Sequence, residues 1–366
     1  MACPNQTYGP HSDLGGKRLS GQEFAYDNNV LRRPQTRVYP CVFAALPAAF
    51  RFPRMPAFTL PALSARLFRA RRSLAAVALA AISAAALAPA LAHAQSPVLD
   101  KIRESGTIVL GYRESALPFS FADDKGQPAG YAVDLCLRAA EAARQQLGLK
   151  DLKVRWMPLT PQNRIPAVVN GLVDLDCAPN TNSLERQKQV AFSVSHYVST
   201  VRMLVRADSG IRSFGDLRGK TVVTSAGSTG DRHVRRMKAQ YGYHDVYAKD
   251  HGESFLLLES GRAQAFVMDD VLLAGLRARA KDPSQYVIVG PALSVEQNAL
   301  MLSKADPEWK RLVDQALANT FAGPEVTALQ KRWFQQPIGS RGINLALAPS
   351  GEVRAAWKHP SDAVTE

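Results

Sequence analysis

The feature that most constrains this chain is a repeated alternation of short apolar runs with helical stretches, which fills its C-terminal three quarters. "TIVLGY" (Thr107–Tyr112) is a short β-branched strand, and apolar residues at helical spacing then run from Val133 to Leu147 before a glycine stop. "LKVRWMP" reads as a strand, "NRIPAVVNG" as a short helix ending at Gly171, "LVDLDCAPN" and "VSTVRMLVRA" as strands, with a charged helix "SLERQKQV" between the last two. Further on, the pattern predicts a strand over Thr221–Thr224, a helix in "DRHVRRMKAQYG", a helix in "SFLLLESG" and a strand over Ala265–Met268. It ends with a helix in "VLLAGLRARAKD", a strand "NALMLSK" and a closing helix pair. Strands and helices at this spacing imply an α/β architecture with mostly parallel sheets. "AVVNGLVDLDCAPNTNS" and "LLLESGRAQAFVMDD" both read helix, glycine, strand, then polar groups, so the pattern predicts two similar α/β lobes. Ligands of open α/β sheets bind beyond the carboxyl ends of the strands. Two lobes presenting such ends to each other form a cleft.

The 366 residues carry a formal charge of +13, unevenly spread. Residues 1–94 hold 11 Lys and Arg against 3 Asp and Glu, whereas residues 95–366 hold 34 against 29. The basic excess therefore lies mainly outside the expected folded body, and no basic tract with interleaved aromatics suggests a nucleic-acid partner. The N-terminal part has its own logic. Arg66, Arg69, Arg71 and Arg72 precede an apolar run from Leu74 to about Leu87 and then Ala92-His93-Ala94, the layout of a secretory signal peptide cleaved before Gln95. The run is short and Ala-rich for a membrane anchor, which needs about 20 apolar residues. Met55 stands where a secretory start is expected, so residues 1–54 read as a misassigned start or a disordered extension. Cys3 and Cys41 fall in that region, while Cys136 and Cys177 fall in the exported part. There they form either one disulfide or two buried thiols.

The residues just past the strands carry the chemistry. Arg113 follows the first strand, Arg164 lies in "PLTPQNRIP", Thr181 and Arg186 follow "DLDCAPN", Ser228 and Thr229 lie in "SAGSTG", His251 precedes "GESF", and Asp269 follows "AFVM". Several cationic groups and one acidic group suit a ligand with more negative than positive charge. The guanidinium fork matches a carboxylate in two parallel hydrogen bonds, and the N–H groups of a helix start hold another. An acidic amino acid, with two carboxylates and one ammonium, fits this inventory. Each residue also has an ordinary reading: a surface charge for the arginines and His251, a helix N-cap for "SAGSTG", a cap for Asp269 or Asp270. Catalytic motifs are missing: the chain has no nucleophile elbow, Walker loop, HExxH, CxxC or dinucleotide fingerprint, so neither a cofactor nor a catalytic metal is expected. Ser228, His251 and Asp269 are the residue types of a triad, but spacing does not give triad geometry.

Read together, "LDKIRESGTIVLGYRESALPFSF", "PLTPQNRIPAVVNGLVDLDC", "NTNSLERQKQVAFS", "AKDHGESFLLLESGRAQAFVMDDVLLAG" and "MLSKADPEWKRLVDQAL" resemble the periplasmic glutamate/aspartate-binding proteins, the solute receptors of polar amino acid ABC importers. The resemblance covers about residues 97–360. It implies a two-lobed type II periplasmic-binding fold with two hinge strands, lobe 1 over 95–203 plus 295–366 and lobe 2 over 204–294. It also implies a monomeric, non-enzymatic periplasmic receptor that takes an acidic amino acid to a membrane permease. The family's α-carboxylate arginine falls on Arg186, with support from Thr181 and the Ser228–Thr229 loop. Its ammonium partner falls on Asp269, and its side-chain carboxylate group on Arg113, Arg164 and His251. Two departures stand out. Pro161 occupies the place of a serine before "QNR", and Ala178-Pro179 that of a Gly-Ser pair. Proline supplies neither hydroxyl nor N–H, though the carbonyl of Pro179 can still accept from an ammonium. One lost neutral hydrogen bond costs about 0.5–1.5 kcal/mol, so the arginines keep the ligand acidic while its identity within the dicarboxylate and amide amino acids stays open. An amino-acid dehydratase on the same fold and a chemosensory ligand module are the alternatives of a different kind.

Overall fold

A computed structural model describes residues 96–364. The expected signal peptide, Met55, Cys3 and Cys41 lie outside the described residues. The described chain opens with helix α1 (Pro97–Ser105), capped by the Ser96 hydroxyl accepting from Leu99 N and closed by Gly106 at φ 61°. Strand β1 (Thr107–Tyr112) follows, then a small antiparallel sheet of β2 (Ser115–Ala116), β3 (Ser120–Ala122) and β4 (Pro128–Ala129). Next come α2 (Tyr131–Gln146), β5 (Lys153–Pro158), α3 (Arg164–Val169), β6 (Leu175–Thr181), α4 (Leu184–Gln187) and β7 (Ala191–Phe192). The long strand β8 (Tyr197–Arg206) leads to β9 (Thr221–Ser225), α5 (Thr229–Tyr241), β10 (His244–Ala248), α6 (His251–Glu259), β11 (Ala265–Asp269), α7 (Asp270–Arg279) and β12 (Tyr286–Val289). Strand β13 (Val295–Leu302) returns the chain to α8 (Pro307–Ala322), α9 (Glu325–Gln330) and, after a π-turn, α10 (Gly351–Lys358).

Strand pairing divides this series into two lobes. In one, β1 runs parallel to both β5 and β6; in the other, β9 runs parallel to both β10 and β11. Two strands pass between them. Residues 201–205 of β8 pair antiparallel with β11, while residues 197–200 pair with β13. Residues 295–298 of β13 take that pairing, and residues 298–301 pair with β6. These are the two crossing strands expected of a type II periplasmic-binding fold, and β8 and β13 are bonded to each other where they cross. The central strands are buried almost throughout, β11 at every residue and β6 at all but one, as parallel strands covered on both faces must be.

The core of the first lobe is aromatic. Phe119, Tyr131 and Phe334 are fully buried. Tyr197, the first residue of β8, stacks on Phe334 with centroids 5.2 Å apart and meets Phe119 edge-on at 4.9 Å. Offset and edge-on aromatic pairs add about 0.5–1.5 kcal/mol each beyond their area, so the start of the crossing strand is firmly held. Cys136 of α2 and Cys177 of β6 stand in disulfide geometry with Cα atoms 5.8 Å apart. A bond closing a loop of that length stabilises by about 4 kcal/mol, and it fixes β6 two residues before Pro179.

Several short elements escaped the sequence reading: strands β2, β3, β4, β7, β10 and β12, and helices α1 and α10. β10 and β12 are short and partly exposed, and α10 follows a segment without periodicity. Smaller differences fall at element ends: α2 begins at Tyr131 rather than Val133, and β9 and β11 each extend one residue further than expected, to Ser225 and Asp269.

Candidate functional site

The carboxyl ends of the strands of both lobes converge on one cavity. The space between these ends is small and partly open to solvent. Arg113, Arg164, Pro179, Thr181, Arg186, Ser228, Thr229, His251 and Asp269 all line it, together with Ala116, Pro161, Asn180, Met268 and Leu272. Every ligand residue expected from the sequence is therefore brought to the same place.

Local structure explains the placement. β1 ends at Tyr112 and delivers Arg113, whose Nη2 donates to Asp176 Oδ2 at 2.9 Å and to Asn180 Oδ1 at 3.0 Å. Arg164 is the first residue of α3 and reaches back to donate to the Pro161 carbonyl and, at 3.3 Å, to the Gly227 carbonyl of the opposite lobe. Arg186 sits in α4, where Ser183 caps the first turn, and its Nη1 donates to the Thr181 carbonyl at 2.9 Å. All three guanidinium groups are buried. Burial, followed by the charges of Arg186 and Arg113, holds Arg164 well below the ordinary guanidinium range. Burial and then Arg232 push Arg186 down to about 10. Arg113 is paired with Asp176, whereas Arg164 and Arg186 bond only to carbonyl oxygens, so their charges lack direct anionic partners within the protein.

The opposite lobe supplies different chemistry. β9 ends at Ser225, and a turn through Gly227 (φ 79°) leads into α5. A Cβ at Gly227 would stand 2.9 Å from the Pro161 carbonyl oxygen, so the two lobes touch backbone to backbone there. Ser228 lines the cavity, but its hydroxyl accepts from Asp231 N at 3.1 Å, the helix-capping role. The first residue of α6 is His251, whose Nδ1 meets Ser225 Oγ at 2.8 Å. Burial, and then the nearby Arg113, push its pKa down to about 3. The imidazole is therefore neutral at pH 7, which corrects the expectation that His251 adds a cation: it offers a hydrogen bond and no charge. Asp269 ends β11. Ser199 Oγ donates to its Oδ2 at 2.8 Å, and burial, followed by the neighbouring Glu296 carboxylate, raises it above the usual carboxylate range.

Three buried polar atoms of the cavity lining make no hydrogen bond within the protein, Arg113 Nη1, Arg164 Nε and Asp269 Oδ1, and behind Arg113 the Asp176 Oδ1 is likewise unpaired. Native interiors leave few such atoms unpaired. The unpaired atoms of the lining are thus donors on the arginine side and an acceptor on the Asp269 side. Four contributors were not foreseen from the sequence: Asp176, Asn180, Ser199 and Glu296. Asp176 and Asn180 lie four residues apart on β6 and so share one face of the strand, a spacing that was an available signal. Glu296 lies at the start of β13, before the apolar run that marked the strand.

Among the described residues no helix is long and apolar enough to cross a membrane, and no group of His, Cys, Asp and Glu is arranged to hold a metal ion.

Known proteins share this construction. The L-glutamate/L-aspartate-binding protein of Pseudomonas aeruginosa is 44% identical over 282 residues, spanning 76% of this chain and 93% of that protein. The glutamate/aspartate import solute-binding protein of Escherichia coli is 41% identical over 273 residues, 74% of this chain and 90% of that one. Among solved structures, holo ArgBP from T. maritima superposes with a TM-score of 0.55 at 28% identity, over 64% of this chain and 98% of that chain. The cysteine-binding protein from Campylobacter jejuni gives a TM-score of 0.57 at 25% identity, over 64% and 92%. The model of the bacterial extracellular solute-binding proteins, family 3, matches residues 108–336. A two-lobed fold with its charged groups gathered at facing strand ends, and these matches along most of the described residues, place the chain in that family: it is a bacterial extracellular solute-binding protein of family 3.

Proposed function

We propose that this protein binds an acidic L-amino acid, glutamate or aspartate, and delivers it to the membrane permease of an ABC importer. It works as a binding protein and not as an enzyme. The observation that carries the reading is the polarity of the cavity: three buried arginines on one side, and one buried carboxylate with an unpaired oxygen, Asp269, on the other. An acidic amino acid matches it end to end. Arg186 takes the α-carboxylate, assisted by N–H groups of the Ser228–Thr229 turn at the start of α5. Asp269 takes the ammonium, with the Pro179 carbonyl as a further acceptor. Arg113 and Arg164 take the side-chain carboxylate, and the neutral His251 adds a hydrogen bond. The 41–44% identity to proteins named for glutamate and aspartate supports the same ligand class.

In this reading lobe 1 comprises residues 95–203 plus 295–366 and lobe 2 residues 204–294, joined through β8 and β13. The lobes rotate about these strands and close on the ligand. Closure is favoured because the ligand touches both lobes only in the closed form. Residues 55–94 direct export, cleavage after Ala94 leaves a periplasmic monomer, and residues 1–54 take no part in binding.

Pro161 and Pro179 favour a second reading within the same class. Both line the cavity where relatives are expected to offer serine hydroxyls, which shifts the preference among glutamate, aspartate, their amides and other dicarboxylates. Calorimetry of the mature protein against glutamate, aspartate, glutamine, asparagine and citrate separates these. An acidic amino acid binding most tightly supports the assignment. Citrate or a neutral amide in first place contradicts it.

A further inference from the structure

Glu296 stands on β13, where the two crossing strands meet, and its side chain is buried between the lobes. One carboxylate oxygen, Oε2, accepts from two hydroxyls: Thr181 Oγ1 at 2.5 Å from one lobe and Thr229 Oγ1 at 2.8 Å from the other. The second oxygen, Oε1, accepts from Ser294 Oγ at 2.9 Å. Ser294 Oγ lies 3.0 Å from His233 Nε2, and His233 Nδ1 lies 3.0 Å from Arg236 Nη2. Every proton in this chain is determined. A guanidinium only donates, so His233 Nδ1 accepts and Nε2 carries the ring proton. That proton goes to Ser294 Oγ, and the Ser294 proton goes to Glu296. The chain therefore runs in one direction, from the exposed Arg236 inward, and ends on a carboxylate that only accepts.

The consequence falls on the two threonines. A hydroxyl has one proton and two lone pairs. With both protons given to Glu296, Thr181 and Thr229 turn only lone pairs toward the cavity. They cannot donate to a ligand carboxylate, and they can accept from an ammonium. We propose that Glu296 is a specificity-determining positioning residue: by fixing the threonine hydroxyls as acceptors beside Asp269, it makes this end of the cavity require a cationic group and so discriminates amino acids from dicarboxylates that lack one. This rests on the receptor reading above and assigns the Thr181 hydroxyl to the ammonium, leaving Arg186 and the backbone N–H groups to the α-carboxylate.

Glu296→Gln tests it sharply because the relay fixes how the amide sits. Ser294 still donates, so the amide oxygen must occupy the Oε1 position and the NH2 group must face the two threonines. Each hydroxyl then accepts from that NH2 and turns its proton into the cavity. L-Glutamate and glutarate share a carbon chain and two carboxylates and differ in the amino group, so calorimetry of the mature protein with both reads the effect. In Glu296→Gln the glutamate affinity is expected to fall about tenfold, the worth of one charge-assisted contact, while the glutarate affinity is unchanged or rises. Thr181→Val, which removes one of the two acceptor hydroxyls and leaves Glu296 in place, is expected to narrow the same ratio by about threefold, as the loss of one neutral hydrogen bond. It also serves as the independent readout if the first variant is poorly folded. Equal losses for both ligands in both variants, or an unmoved ratio, overturn the proposal while leaving the receptor reading intact. Failure of the unaltered protein to bind glutamate or aspartate overturns the receptor reading itself, and this inference with it.

Discussion

The two faces of the cleft are built on the same plan and carry opposite chemistry. On the face formed by β1, β5 and β6, the strand ends deliver Arg113, Arg164 and Arg186. On the face formed by β9 and β11, they deliver a helix start, a neutral histidine and Asp269. The difference suggests an order of events. An anion meets the guanidinium-rich face first, where Coulomb attraction acts at a distance, and the second face contributes directional bonds only as the lobes close. The arginine face then governs whether a ligand is captured, and the Asp269 face governs which ligand is kept.

Four substitutions test that division, from the largest expected effect to the smallest. Arg186→Ala removes the α-carboxylate anchor from the first face. Losing one partner of a buried charge pair costs about 2–5 kcal/mol, so calorimetry should show the affinity for every amino acid falling roughly 30-fold to several-thousand-fold. Unchanged affinity would remove Arg186 from the site. Asp269→Asn acts on the second face and should cost glutamate about 1.5–3 kcal/mol, with glutarate little affected.

The same substitution has a stability signature whose sign follows from burial. Asp269 has a folded-state pKa above its ordinary value. Its contribution to stability is therefore complete below the usual carboxylate range, near 4, and is lost as pH rises through the raised folded value. Asp269→Asn should accordingly raise the melting temperature of the ligand-free protein by a few degrees at pH 8, about 1 kcal/mol, and by less at pH 4. An equal shift at both pH values would show that the carboxyl is not held neutral by burial.

Gly227→Ala probes the contact between the faces rather than either face alone. Its Cβ would meet the Pro161 carbonyl at 2.9 Å, and the φ of 79° disfavours a side chain. The φ strain acts whether the lobes are open or closed, whereas the clash with Pro161 arises only when they meet; about 1–2 kcal/mol from that clash should weaken all ligands alike, by roughly fivefold to thirtyfold. A selective loss for one ligand would place Gly227 in recognition instead of closure. The smallest effect belongs to Arg232→Ala. This residue pairs with Glu185 across the lobes, but both side chains are largely exposed at 46% and 66%. Exposed pairs contribute about 0–1 kcal/mol, so the affinity should change less than about fivefold and lose its salt dependence only slightly.

Much of this site was legible before the structure because strand ends are legible. Arg113, Thr181 and Asp269 follow runs of apolar residues that can only be buried strands, and the α/β rule then places them at a cleft. What could not be read was which neighbour each side chain would meet. His251 follows Asp250 in the sequence and looks like half of a surface pair, whereas the fold turns it inward beside Arg113 and leaves it neutral. Glu296 precedes the apolar core of β13 and looks like the exposed start of a strand. Its burial comes from the meeting of two lobes separated in sequence by almost the whole of β8 to β12, a contact that no local pattern encodes. The short strands β10 and β12 were missed for a related reason: they lie at sheet margins, where partial exposure blurs the apolar run.

The central claim is that the arginine face holds a second carboxylate, so the most direct measurement is the ratio of glutamate to glutamine affinity in the mature protein by isothermal titration calorimetry. The two ligands differ only in the charge of the side-chain terminus. Charge-assisted hydrogen bonds contribute about 1.5–3 kcal/mol, so glutamate should bind roughly ten- to a hundredfold more tightly, and Arg164→Ala should remove most of that preference. Glutamine binding as tightly as glutamate would contradict the role given to Arg113, Arg164 and His251.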